Sequence, residues 1–244
     1  LEQSGWFYKI SPRLGFSHVI TDKSTFTFNY GLYYQTPVYQ SIYLNTNRLE
    51  DPEDLFEEGE GQVGNATMSA ERTQDYSVAF NVQVGESWAY SFGAWVRDMD
   101  QMTRFTHERS GVYSYQISTN GDYGSARGLD LTLEWRRAFF GSQLQYTYSI
   151  SKANSEYAWA SISGQYVDAP SQEFITYFDR PHGLTYYAYT FLPFGIQAGL
   201  TASYRSGYPY TPIIFRGKDP VEDDRNRNSK RGPGNKNLNI SLSK

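Results

Sequence analysis

Cysteine is absent from the 244 residues, which excludes disulfide staples, thiolate metal sites and cysteine nucleophiles. Histidine is scarce, with three in all, and none stands in the H-E-x-x-H spacing of a catalytic zinc helix. Apolar runs of the roughly 18 residues that a membrane helix needs are missing too. Neither charge sign dominates, since 22 basic residues stand against 26 acidic ones for a net charge of −4. That balance gives no electrostatic footprint for a nucleic-acid partner. The opening residues LEQSGWFYKI lack the charged start and apolar middle of a secretory signal peptide.

Aromatic residues are abundant at 17%, with 22 Tyr, 15 Phe and 5 Trp, and many sit in alternating runs. In GLDLTLEWRRAFFGSQLQYTYSIS (Gly128 to Ser151), Leu129, Leu131, Leu133 and Trp135 alternate with Asp130, Thr132, Glu134 and Arg136. After Phe140-Gly141 the pattern resumes, with Leu144, Tyr146, Tyr148 and Ile150 set against Gln143, Gln145, Thr147 and Ser149. Successive strand side chains face opposite sides, so each run makes one oily and one polar face. Phe26, Phe28, Tyr30 and Leu32, then Tyr76, Val78, Phe80 and Val82, then Ile196, Ala198, Leu200, Ala202 and Tyr204 repeat the design. Leu184 to Phe191 is aromatic on both faces and its register stays open.

Period-two runs predict nine strands, at about 7–19, 24–34, 71–84, 88–103, 121–136, 142–154, 178–192, 196–208 and 234–244. Short connections near Thr21 to Lys23, Gly85 to Ser87, Arg137 to Gly141 and Pro193 to Gly195 alternate with long ones at 35–70, 104–120, 155–177 and 209–233. Tight turns at one end and long loops at the other are the asymmetry of an outer-membrane barrel. The runs exceed the usual sandwich strand of about 5–6 residues and suit a tilted membrane strand of about 9–11. The expected fold is therefore all-β, an antiparallel up-and-down transmembrane β-barrel segment of about nine strands, with residues 1–244 as one partial barrel domain. The oily residues would touch lipid. Arg13, Asn29, Asp75, Arg97, Glu134, Arg136 and Arg205 would line the lumen. Trp88, Tyr90, Trp135, Phe139, Phe140, Phe191 and Phe194 would form one aromatic girdle, and Tyr8, Tyr30, Tyr34 and Tyr208 the other. The alternative is a soluble extracellular β-sandwich binding module, for example for carbohydrate, which would bury the same oily residues between two sheets.

Five stretches, in order along the chain, carry a family likeness: SPRLGFSHVITDKSTFTFNYGLYYQTP (Ser11 to Pro37), ERTQDYSVAFNVQV (Glu71 to Val84), DYGSARGLDLTLEW (Asp122 to Trp135), FDRPHGLTYY (Phe178 to Tyr187) and NLNISLSK (Asn237 to Lys244). They resemble the barrel region of TonB-dependent outer-membrane receptors, in particular those with a carboxypeptidase-like regulatory N-terminal domain. The resemblance implies a barrel of about 22 strands with a plugged lumen, sited in the bacterial outer membrane and importing a scarce nutrient such as a siderophore, glycan or peptide. It also implies partners: outer-membrane lipid and lipopolysaccharide, a plug domain and the TonB complex. It implies no cofactor. Plug and TonB-binding motifs are not in these residues, and the family supplies no ligand residues that carry over.

Candidate chemistry is sparse. The acidic run LEDPEDLFEEGEGQ (Leu49 to Gln62) has seven carboxylates but not the spacing of a calcium-binding EF-hand loop, and a solvated loop is its plainer reading. The basic run Asp223 to Asn237 offers Arg225, Arg227, Lys230 and Arg231 to lipopolysaccharide phosphates. His18 falls on the oily register, His107 in a long loop and His182 in FDRPHG, with no nucleophile elbow nearby, so a non-enzymatic role is expected. Asn65-Ala66-Thr67 matches a glycosylation acceptor by chance composition. Tyr39, Tyr43, Tyr157, Trp159, Tyr166, Tyr208 and Tyr210 lie in or beside the long loops. Their rings are the candidate ligand contacts, because they offer amphipathic area at little entropic cost.

Overall fold

The computed structural model describes residues 8–46, 61–110, 113–154 and 172–244. Nine strands follow one another in chain order across one antiparallel sheet. They are β1 (Arg13–Thr21), β2 (Ser24–Gln35), β3 (Glu71–Val84), β4 (Trp88–Ser110), β5 (Tyr113–Arg137), β6 (Phe140–Ala153), β7 (His182–Leu192), β8 (Ile196–Arg205) and β9 (Asn235–Ser243). The up-and-down order is the expected one. Among the described residues β1 and β9 do not pair, so the sheet is open along those two strands.

Register carries the two-faced pattern unbroken from strand to strand. Phe16, Phe28, Val78, Ala94, Leu129, Tyr148 and His182 succeed one another as partners on one face, and Leu184, Tyr204 and Lys236 continue it. The opposite face runs through Asn29, Ser77 and Trp95, with Asp75 beside Arg97 and Glu134 beside Gln143. All seven residues expected to line a lumen lie on this polar face. Side chains link the strands there: Arg97 donates to Asp75 at 2.6 Å, Trp95 and Thr147 donate to Asp130 at 3.0 and 2.7 Å, and Gln143 donates to Glu134 at 3.1 Å.

The apolar face is left uncovered. Phe92, Leu129 and Leu238 are 46, 43 and 61% exposed, and the remaining described sheets are two small pairs built from residues 209–231. Among the described residues no second sheet packs on this face, which removes the sandwich alternative. Burial of one Leu or Phe is worth about 1.5–3 kcal/mol, so a face this wide needs an apolar solvent. On β3 it runs from Tyr76 to Val84, nine residues by subtraction. At about 3.4 Å per residue and a tilt near 40° that spans about 23 Å, close to the apolar band of about 25 Å in membrane barrels.

Tight turns close all four pairs at one end: Asp22-Lys23, Gly85 to Ser87, Ala138-Phe139 and the 3-10 turn Pro193–Gly195. Gly85 sits at φ 61°, a conformation glycine adopts without steric cost. The other end departs from the sequence reading at residues 104–120, expected to be a long loop. Residues 104–110 and 113–120 instead extend β4 and β5 to 23 and 25 residues, so β4 passes Val96 by roughly 14 residues, or about 45 Å of strand. A register shift between Met99 and Thr103 breaks the alternation, with Gln101 at φ 55°. Asn120 secures this bulge by donating to the Gln101 carbonyl at 2.8 Å. Two smaller corrections concern Tyr39–Tyr43, a five-residue helix (α1) where no helix was expected, and Phe191. Phe191 pairs with Gln197 on the polar face and is no girdle residue. The open register of β7 resolves the same way: Tyr187, Tyr189 and Phe191 line the polar side, with ring centroids 6.0 and 5.8 Å apart in a tilted and an edge-to-face contact.

If the uncovered face meets lipid, Phe28→Arg should cost about 2–4 kcal/mol at mid-bilayer, and Thr27→Arg, one residue away on the polar face, should be tolerated. Folding into lipid vesicles measures both. Equal losses would mean that the two faces do not meet different solvents.

Candidate functional site

The long-loop end holds the candidate residues, and two anchored clusters organise it. In the first, α1 packs beside the extended hairpin. Gln62–Val63 adds a parallel pair to Gln116 and Ile117 of β5, covering an edge that β6, ending at Ala153, leaves open. Asn45 donates to the Gln62 carbonyl at 2.9 Å, and Val63 and Ser118 are each 1% exposed. Glu71 accepts from the Thr103 amide and hydroxyl at 2.9 and 2.8 Å. Between these parts lies a pocket of about 230 Å³ lined by Gln35, Pro37, Ser41, Leu44, Glu71 and Phe105. Ligand sites run about 300–1,000 Å³, so this pocket fits one small group of a larger molecule.

The second cluster ties the 172–181 connection to the 206–234 connection. Asp179 is buried, accepts from the Ser151 amide at 2.7 Å and meets Arg231 at 2.5 Å. Arg231 also donates to the Asp179 carbonyl at 2.9 Å. Arg180 donates to the Ser206 carbonyl at 2.7 Å and lies over the Tyr208 ring at 4.7 Å. Asn228 reaches the Ile175 carbonyl at 2.7 Å, and Arg227 lies over Phe174 at 4.5 Å. Gly207 allows the chain to close, since a Cβ there would stand 1.9 Å from the Gly232 carbonyl oxygen.

Of the ring candidates, Tyr39 and Tyr43 form a pair on α1 at 6.1 Å and are 80 and 62% exposed. Tyr208 and Tyr210 are exposed in the second cluster, and among the described residues no ring contact joins the two pairs. Tyr157, Trp159 and Tyr166 lie outside the described residues, as does the acidic run up to Glu60. Arg227 and Arg231, expected to be available to phosphates, are engaged within the protein, whereas Arg225 and Lys230 are exposed. His18 and His182 lie on the apolar face of β1 and β7. The Tyr146 hydroxyl stands 2.9 Å from His182 Nδ1. Among the described residues no cluster of three or more His, Cys, Asp or Glu could hold a metal. The pocket and the Asp179–Arg231 pair were not evident in the sequence, because each joins residues more than 30 positions apart.

No family model and no curated protein sequence matches the chain. Solved structures do. The outer membrane transporter YddB from Escherichia coli superposes with a TM-score of 0.68 at 13% identity, over 96% of this chain and 34% of its own. The FrpB iron transporter from Neisseria meningitidis follows at 0.62 and 11%, over 95% and 31%, and the copper transporter OprC at 0.57 and 11%, over 95% and 30%. The chain has a transporter-barrel fold. It spans about a third of the length of the transporters it matches.

The latch between the two connections is testable. Arg231→Ala is expected to cost about 3–5 kcal/mol, the usual loss when one member of a buried pair is removed. Limited proteolysis should then cut within 206–234 at concentrations that leave the parent intact. Unchanged resistance would show that other contacts hold this connection.

Proposed function

We propose that this chain is part of the wall of a bacterial outer-membrane receptor that imports a scarce nutrient, and that it is not an enzyme. The observation carrying the reading is a nine-strand meander with a continuous uncovered apolar face and a hydrogen-bonded polar face. Only a lipid-facing wall around a polar lumen uses both faces, and closing such a wall satisfies every backbone amide in hydrocarbon. The likeness to the iron, copper and outer membrane transporters supports it at the level of fold. In this proposal residues 1–244 form a partial barrel domain in a barrel of about 22 strands. A plug domain and the TonB complex act through other parts of that protein, as the five family-like stretches imply. Membrane lipid and lipopolysaccharide surround the wall.

Cargo would first meet the long-loop end. There Tyr39 and Tyr43, with Tyr208 and Tyr210, present exposed rings, and amphipathic rings suit a sugar, siderophore or peptide at low entropic cost. Tyr157, Trp159 and Tyr166 belong to the same proposal from sequence alone.

The absence of cysteine from these residues makes sidedness easy to read. Single substitutions Tyr39→Cys and Tyr210→Cys in the intact protein should react with a membrane-impermeant maleimide on whole cells, while Glu86→Cys and Phe139→Cys should react only after permeabilisation. Labelling of the tight turns on intact cells would invert the topology, and equal labelling everywhere would remove the membrane reading.

A further inference from the structure

The 230 Å³ pocket beside α1 has one charged group among its lining residues, the Glu71 carboxylate, and no cation. Glu71 and Gln35 are register partners in the last row that β2 and β3 share, on the polar face at the loop end. Glu71 Oε1 accepts both the amide and the hydroxyl of Thr103 at 2.9 and 2.8 Å, and among the described residues no donor reaches Oε2. The neighbouring cations are engaged elsewhere. Arg72 follows Glu71 in β3 and so faces the other side of the sheet, where it holds Asp100. Arg104 alternates away between Thr103 and Phe105 and stands 4.0 Å from Asp122. Nearer the membrane on the polar face, Arg97 is bound to Asp75 at 2.6 Å and Arg13 stacks on Tyr33 at 4.7 Å. The β5 partners of Thr103 and Phe105 are Asn120 and Ser118, both neutral. Gln62 spends a side-chain N–H on Gln116 at 3.3 Å, which leaves its side-chain oxygen to accept.

We infer that this pocket receives a basic group of the cargo, a guanidinium or primary ammonium on a short aliphatic stem, as an arginine or lysine side chain carries. The inference rests on the receptor reading given above and narrows it. The cation meets Glu71, the side-chain oxygens of Gln35 and Gln62 accept its remaining hydrogens, and Leu44 and Phe105 flank the stem. Charge and size both select this class. A carboxylate with amide acceptors repels phosphates, carboxylates and anionic chelates, while a hydrogen bond from a charged nitrogen to a carboxylate is about twice as strong as a neutral one. One carboxylate falls short of the six to eight oxygen ligands that calcium takes. At about 30 Å³ for each water-sized group, the pocket has room for roughly seven, the size of an arginine or lysine side chain. The sequence from 47 to 60, outside the described residues, contains seven carboxylates and one basic residue, Arg48. Arg48 is therefore the internal competitor to test.

The intact protein is purified in detergent and titrated, with ligand-observed NMR, against end-capped tripeptides whose middle residue is arginine, lysine, citrulline or glutamate between two glycines. The arginine and lysine peptides should bind. Citrulline, the neutral isostere of arginine, should bind about tenfold more weakly, on the scale of one charge-assisted hydrogen bond, and the glutamate peptide should not bind. Glu71→Gln keeps an acceptor for Thr103 and should remove the preference for arginine over citrulline. Gln40→Trp should block the pocket with Glu71 in place, and Arg48→Gln should leave binding equal or tighter. Putrescine as competitor separates two sources of the same group: parity with the lysine peptide assigns the pocket to free amines, and failure to displace that peptide assigns it to peptides. Equal binding of the arginine and citrulline peptides by the parent overturns the site. So does a preference for arginine that survives Glu71→Gln, or a loss of binding in Arg48→Gln as large as in Glu71→Gln. The arginine-to-citrulline ratio in the parent needs no variant, so a variant that fails to fold does not rescue the proposal. Heat-modifiable gel mobility is read separately. A parent with no heat-modifiable, membrane-inserted form sinks the barrel reading, whereas a heat-modifiable parent without charge preference sinks the site alone.

Discussion

A backbone amide placed in hydrocarbon has no water to bond, and each unmade bond there costs several kcal/mol. That constraint governs this chain. It requires every strand in the apolar band to be paired along its length, and it forbids irregular backbone between the band edges. The strands meet it by strict antiparallel pairing everywhere except along the outer edges of β1 and β9, which are open among the described residues. β2 keeps an unshifted register with β3 through twelve residue pairs, from Ser24 to Gln35. β3 with β4, and β5 with β6, are likewise free of shifts. The one large irregularity of the central strands, the shift between Met99 and Thr103, lies beyond the band, where water and the Asn120 side chain can serve the freed groups.

The same constraint shapes the polar face. A sheet that must stay paired cannot open to accommodate bulky rings, so the rings are fitted over glycine. Tyr33 lies over Gly31, Trp95 over Gly128 and Tyr189 over Gly141, each so closely that a Cβ would stand 2.4–2.6 Å from the ring. Each such glycine forgoes side-chain packing and some strand propensity, and the aromatic neighbour restores the contact. Trp95 then uses its indole N–H on Asp130, and Arg13 stacks on Tyr33 at 4.7 Å. Rings and charges on this side are therefore parts of one fitted surface.

This division explains what was legible in the sequence. Strand count, order and faces were, because alternation repeats every two residues and a bilayer tolerates no slip by one. Leu129, Leu131 and Leu133 are enough to place their strand. β7 was not, since Leu184, Tyr186, Tyr187, Tyr189 and Phe191 are all large and hydropathy cannot separate a ring facing lipid from a ring covering Gly141. The extended hairpin was missed for a different reason. Beyond the band both faces meet water, so Arg104, Thr106 and Glu108 carry no face signal, and the bulge at Gln101 shifts the phase of whatever alternation remains.

The candidate site was the least legible part, and the physics says why it must be. Inside the band one solvent dictates one face, so local sequence suffices. Above it, position is set by individual contacts between distant residues: Asp179 with Arg231, Glu71 with Thr103, Gln62 with Gln116. A composition-level reading assigned Arg231 to an external phosphate, yet a carboxylate 1% exposed had already claimed it. Charged residues in such loops therefore divide into those that hold the loop and those left for a ligand, and only geometry makes the division. Tyr39, Tyr43, Tyr208 and Tyr210 stay exposed at this end. Tyr208 lies under Arg180, which donates to the Ser206 carbonyl, so the placing of that ring follows from contacts between distant parts of the chain.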